Sequence, residues 1–280
     1  WPGSFLELIE AGKLLSEGVG EGPAFDVIIP SLPGYGFSAP PAEVGMHPGK
    51  VAERMHLLMQ ELGYDAYGVQ GGDWGAIIGT RLARQQPDAV IGLHLNFGAG
   101  GVPPAEGEEL STDEQEARQR AQRFSAEETG YQRIQGTRLQ SLGFAMNDSP
   151  VGLLAWILEK FWAWSDHGDD LWESLERDDV LANVTLYWLT GTALSASRIY
   201  YESAHESPRL APAKVETPTG FARFPAEPWA AARPAIERSY NLVHWSELPH
   251  GGHFAALEQP RPFVEDVAAF FASLPGSPAG

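Results

Sequence analysis

The chain has 280 residues, 43% hydrophobic and 20% charged, the balance of a globular protein long enough for one large domain or two ordinary ones. Its 37 acidic residues against 19 basic ones leave a formal charge of −18, which argues against DNA, RNA or an anionic membrane surface as partner. There is no cysteine, so disulfides, zinc–thiolate sites, iron–sulfur clusters and thiol nucleophiles are excluded, and no apolar run reaches the roughly 18–20 residues of a membrane span.

The opening Trp1-Pro2-Gly3-Ser4-Phe5 has neither a Met nor the basic-then-apolar pattern of a signal peptide, and reads as the interior of a longer protein. Phe25 to Pro30 is expected to be a short buried strand, ended by Pro30 and the turn-rich residues 31–36. Val51, Met55, Leu58 and Leu62 recur every three to four residues, which predicts a helix over 49–62 that Gly63 ends. Tyr67 to Gln70 reads as a second strand and runs into Gly71-Gly72-Asp73-Trp74-Gly75. A helix is expected over about 76–86, stopped by Pro87, and then a third strand over 90–96. Strand and helix alternating through short links is the pattern of a parallel α/β sheet.

That rhythm breaks over about 98–205, where a helical insertion is expected. Residues 105–128 are polar and place Glu114/Arg118 and Glu116/Arg120 four apart, as on a solvated helix. Residues 151–164 and 179–203 are helix-like and rich in Trp, Leu and Tyr. The rhythm returns with a strand over 215–221, a helix around 229–238 and a strand over 242–245. A last helix over about 260–273 carries Phe263, Val267, Phe270 and Phe271 on one face. The expected division is an α/β core over 1–97 and 206–280, with a helical cap over 98–205.

The sharpest chemical signal is Gly71-Gly72-Asp73-Trp74-Gly75 between a strand and a helix, the setting of a nucleophile elbow, whose strained turn tolerates only small neighbours. An ester hydrolase carries Ser at the centre; here the residue is Asp73. A carboxylate suits attack on a saturated carbon bearing a strained or good leaving group, and gives an ester that water must then cleave. The base expected for that water is His253, in the glycine-rich His250-Gly251-Gly252-His253-Phe254 before the last helix. His250 is its neighbouring rival. His47, His56, His94, His167, His205 and His244 have no such setting and are expected on the surface or in packing.

Trp1-Pro2-Gly3-Ser4, Gly72-Asp73-Trp74-Gly75, Asn147-Asp148-Ser149-Pro150 and Gly251-Gly252-His253-Phe254 together resemble the microsomal-type epoxide hydrolases of the α/β-hydrolase superfamily. The likeness runs through nearly the whole chain. It implies an α/β-hydrolase fold, a mostly parallel sheet with a helical cap inserted, and front strands of the sheet that fall outside this chain. It also implies two cap tyrosines that hydrogen-bond the epoxide oxygen, at Tyr131 and at Tyr200, with Tyr201 adjacent. The third triad member falls on Glu227, while Glu237, Glu247 and Glu258 are other carboxylates to consider. The oxyanion hole would use the backbone N–H of Trp74 and of Trp1, which stands at the x of the family's His-Gly-x-Pro.

The activity so implied is opening of an epoxide to a vicinal diol. No cofactor and no metal are called for, the partners are a small neutral apolar epoxide and water, a homo-oligomer is allowed, and the expected setting is cytoplasmic. Two other readings use the same residues. A haloalkane dehalogenase would share Asp73 and the Asp-Trp-Gly triplet but needs Trp or Asn donors for a halide. A non-catalytic α/β-hydrolase-fold protein would hold an apolar ligand among the aromatic residues of the insertion.

Overall fold

Among the described residues four parallel strands make the sheet, in the order β1 (Tyr67–Gly71), β2 (Val90–Leu95), β3 (Val215–Arg223) and β4 (Tyr240–Glu247). This computed structural model describes residues 1–20, 22–98, 101–208, 211–229 and 231–275. Tyr67 pairs with Val90 and Gly71 with Leu95 across β1 and β2, and Leu93 to Leu95 pair with Thr219 to Phe221 across β2 and β3. β2 has Leu93, His94 and Leu95 buried, as a strand covered on both faces must.

The covering follows from the strand period. On β1, a Cβ on Gly68 would run into Phe271 of α13 (Pro260–Ala272), while the next residue, Val69, faces Gly79 of α3 (Asp73–Gln85). Successive side chains point to opposite faces, so α13 and α3 lie on opposite sides of the sheet. Gly92 and Gly220 extend the row that Phe270 and Phe271 cover, letting a bulky aromatic helix sit close to the strands. The helix α2 (Pro48–Glu61) packs beside α3, with Val51 and Ala52 buried.

Between β2 and β3 the described residues form helices and no strand. In order these are α4 (Thr112–Glu127), α5 (Gly130–Gln135), α6 (Leu139–Asp148), α7 (Pro150–Trp164), α8 (Arg177–Thr190), α9 (Ala193–Ala196) and α10 (Arg198–Ala204). Among the described residues no helix is long and apolar enough to cross a membrane.

Several expectations change. Residues 25–30 form no strand. A strand needs a ladder partner, and among the described residues the backbone here bonds only from Phe25 N–H to the Leu15 carbonyl of α1 (Ile9–Glu17). Glu114 is not a solvated i,i+4 partner of Arg118. It is buried, closes a capping box with Ser111 at the start of α4, and forms an ion pair with Arg238 of α11 (Arg233–Ser239). The helix expected around 229–238 begins at Arg233, because Pro234 fits the first turn of a helix; Ala230 lies outside the described residues. The segments Phe5–Leu8 and Ile9–Glu17 are helical without having been predicted, while Gly130–Gln135 and Leu139–Asp148 are helices within the helical insertion expected over 98–205.

Candidate active site

β1 ends at Gly71, and the chain turns so sharply into α3 that Asp73 has φ +44°, a left-handed conformation unusual for a non-glycine residue. The glycines before it make this turn. A Cβ on Gly71 would collide with the backbone of Gly75 and Ala76, and one on Gly72 would stand 2.8 Å from the Asn96 amide oxygen. Gly75 differs from expectation, since a Cβ there would meet nothing within 4 Å; what the turn needs is the bare backbone of 75 against Gly71. Asp73 is thereby held out at the carboxyl end of the sheet, where open α/β folds place their sites.

The opposing loop is shaped just as tightly. Gly251 has φ +109°, and a Cβ on Gly252 would lie 2.5 Å from the Trp164 carbonyl at the end of α7. His253 N–H donates to that same carbonyl at 2.8 Å. The carboxylate of Glu258 in α12 (Ala255–Glu258) fixes the loop from within. Its Oε2 accepts from Asp166 N–H at 2.6 Å and Gly252 N–H at 3.0 Å, and its Oε1 accepts from Phe254 N–H at 3.0 Å.

These two turns bring His253 between two carboxylates. Its Nδ1 donates to Glu227 Oε2 at 2.8 Å, and its Nε2 stands 3.2 Å from Asp73 Oδ2. Glu227 is buried and also accepts from Trp229 N–H at 3.0 Å. Of the other carboxylates considered, Glu237 is tied to Arg233 on the surface, Glu247 lies near Arg223, and Glu258 belongs to the loop. His250 is exposed.

The charges of this trio depend on one another. Burial pulls His253 down, but the negative charge of Glu227 and the contacts with Asp73 outweigh it and hold the imidazole well above its usual value. Burial would raise Asp73, yet its contact with the charged His253 and the Trp74 N–H leave it below the usual carboxylate range. In the resting site Asp73 is therefore an ionised carboxylate facing an imidazolium.

Across Asp73 lies a cavity of about 310 Å³ whose walls include Tyr131, Tyr200, Trp164, Phe97 and Glu227. Tyr131 on α5 and Tyr200 on α10 are both buried, their ring centres 5.7 Å apart at nearly right angles. Burial, and then the charge of Asp73, pushes both phenols above their ordinary range, so both remain protonated donors. Tyr200 donates to the Trp1 carbonyl at 3.1 Å. Tyr201 is partly exposed and stacks on His205, 4.0 Å away, so the one-residue ambiguity resolves toward Tyr200 as the tyrosine in the cavity.

The two expected oxyanion donors part company. Trp74 N–H donates to Asp73 Oδ1 at 2.6 Å, whereas the Trp1 nitrogen donates to the Tyr35 hydroxyl at 3.4 Å. Among the described residues, only the first of them hydrogen-bonds Asp73. No group of three or more His, Cys, Asp or Glu among the described residues could hold a metal.

One polar cluster had no sequence signal. His94 on β2 is fully buried and bonds Asp266 of α13 at 2.8 Å, and His244 on β4 bonds the other oxygen of the same carboxylate at 2.8 Å. Three separate elements contribute, so no local spacing announces it.

The α/β-hydrolase-fold family matches residues 1–129. The solved structure of Aspergillus niger epoxide hydrolase is 34% identical, with a TM-score of 0.83, and the match covers 98% of this chain and 70% of that one. The chain belongs to the epoxide hydrolase family of the α/β-hydrolase fold. A Stigmatella aurantiaca protein assigned to the epoxide hydrolases is 42% identical over 279 residues, covering 98% of this chain. Epoxide hydrolase 1 of Oryctolagus cuniculus is 37% identical over 306 residues, covering 96% of this chain. This chain spans 63% and 66% of the lengths of those two family members.

Proposed function

We propose that the chain hydrolyses a small, apolar epoxide to a vicinal diol through an ester on Asp73, with the helical segment 98–205 acting as a cap over the α/β core. The observation that carries this reading is one arrangement. An ionised carboxylate at a strained turn, with His253 and Glu227 behind it, faces two buried phenols across a single cavity.

Asp73 attacks an epoxide carbon, the carbon–oxygen bond breaks, and the electron pair collects on the oxygen. Tyr131 and Tyr200 hydrogen-bond that oxygen, and one of them gives it a proton. Phenols suit this task because they are neutral at rest and acidic enough to donate to an alkoxide.

Esterification also prepares the second step. It turns Asp73 from an anion into a neutral ester, which removes one of the two negative charges that hold His253 high. The imidazole can then give its proton to the phenolate left by the first step and, now neutral, take one from water as that water adds to the Asp73 carbonyl. The charge that develops on the carbonyl oxygen meets the Trp74 N–H. Collapse breaks the ester bond, and the leaving alkoxide takes the proton of the added hydroxyl, which frees the diol and leaves Asp73 an ionised carboxylate with one oxygen from water. His253 is again an imidazolium, as at the start. Glu227 orients the ring and stabilises its cation.

A single turnover in water labelled with heavy oxygen tests this. With enzyme in excess over styrene oxide, the label is expected in Asp73 and not in the first diol released. Label in that diol would mean water attacks the epoxide directly. One observation favours a second chemistry in the same cavity: the buried indole N–H of Trp164 has no acceptor among the described residues, and a halide would use such a donor. Measuring diol formation against halide release separates the two.

A further inference from the structure

Two cavities meet at the reactive residues. Asp73, Trp74 and His253 line the tyrosine-walled cavity, and the same three residues line a second one, also of about 310 Å³. The second holds neither tyrosine of the first. Its walls near Asp73 include Gly3, Glu7, Gly72 and Asn96.

Glu7 sits on the short turn Phe5–Leu8, which Ser4 caps by accepting from Leu6 N–H. The turn folds the Glu7 carboxylate over Gly3, where any Cβ on residue 3 would collide with Glu7 Oε2. Among the described residues no protein donor hydrogen-bonds this carboxylate. Glu7 is half-buried, and a carboxylate with no protein partner takes its hydrogen bonds from water, for which this cavity has room. Burial pushes the Glu7 carboxyl up to about 7, while the nearby charge of His253 pulls the other way.

The chemistry needs such a group. The ester on Asp73 would be reached by the epoxide from the tyrosine side, and once formed it fills that side. The water that cleaves it must reach the same carbonyl carbon while His253 stays within reach. The second cavity offers a route to both residues that the bound alkyl group does not occupy.

We propose that the second cavity holds the hydrolytic water, and that Glu7 is the residue that positions this water against the Asp73 ester within reach of His253. Glu7 touches the water and not the epoxide, so it is a positioning residue for the second step alone. This inference rests on the ester mechanism above.

The test is Glu7→Gln in the full chain, an isosteric change, with ester formation and ester hydrolysis followed separately. Enzyme is mixed with styrene oxide, quenched at intervals, and the Asp73 adduct is measured by mass spectrometry. Ester formation is expected within about twofold of the unsubstituted protein, and hydrolysis slower by about tenfold or more, so that adduct accumulates during turnover. Unchanged formation also shows that the variant is folded. Hydrolysis at the original rate would overturn the inference, as would an equal slowing of both steps, which is what a merely structural role would give. Absence of any adduct in either protein would overturn the ester mechanism itself, and this inference with it.

Discussion

Replacing Glu258 and Glu227 by glutamine, one at a time, separates the carboxylate that fixes the His253 loop from the one that bonds the His253 ring. Glu258 accepts three backbone N–H bonds, from Asp166, Gly252 and Phe254, divided between its two oxygens. A glutamine has one acceptor oxygen, so at least one of those N–H groups would face an amide NH₂. Hydrogen bonds to a charged group contribute about 1.5–3 kcal/mol, and a buried N–H left unpaired costs about 1–3 kcal/mol. Glu258→Gln is therefore expected to cost roughly 3 kcal/mol, a fall in Tm of about 6–12 °C for a chain of this size. His253 should keep its raised pKa in that variant, because Glu227 and Asp73 still face it. Glu227→Gln does the opposite: it removes the neighbouring charge that raises His253, and the imidazole should titrate lower. Thermal unfolding together with an NMR titration of the His253 ring reads both effects. An unchanged Tm in Glu258→Gln, or an unchanged His253 titration in Glu227→Gln, would refute the division of roles.

Tyr131→Phe and Tyr200→Phe should each slow ester formation by about 10²-fold, the usual range for losing one donor to a developing anion, while Tyr201→Phe stays within about twofold. Stopped-flow with styrene oxide measures all three, and a Tyr201 effect as large as that of Tyr200 would contradict the placement of these rings. At Asp266, burial would raise the carboxyl, but its bonds with His94, Ser246 and His244 hold it down at about 2. A depressed carboxylate stabilises the fold above its ordinary value near 4, and loses that contribution as pH falls through its folded value. The shift corresponds to about 2 kcal/mol, so the stability gap between the unsubstituted protein and Asp266→Asn should shrink by about that amount between about pH 5 and about pH 2. A gap that does not change with pH in denaturant titrations would contradict this.

Much of this site is legible in the chain because its geometry is made by local glycines. Gly71 and Gly72 permit the turn at Asp73, and Gly251 and Gly252 permit the loop at His253, so short motifs announce both. The alternation of strand and helix likewise gave the parallel sheet. What the sequence conceals is whatever depends on a distant partner. Residues 25–30 have the composition of a strand, but strand formation is decided by the neighbour and not by the segment. Glu114 appears matched to Arg118 by spacing, yet its partner Arg238 comes from 124 residues away. His94, His244 and Asp266 meet only because β2, β4 and α13 pack together. Glu7 lies next to a recognisable motif, but its place beside Asp73 and His253 follows from the fold of the first turn.

The central claim is that Asp73 carries the substrate as an ester that His253 is needed to cleave. His253→Gln should leave ester formation possible and block hydrolysis, so a styrene oxide adduct should build up. Digestion and mass spectrometry should find a mass gain of one substrate molecule, located on Asp73. No mass gain, or a gain located on another residue, would contradict the account.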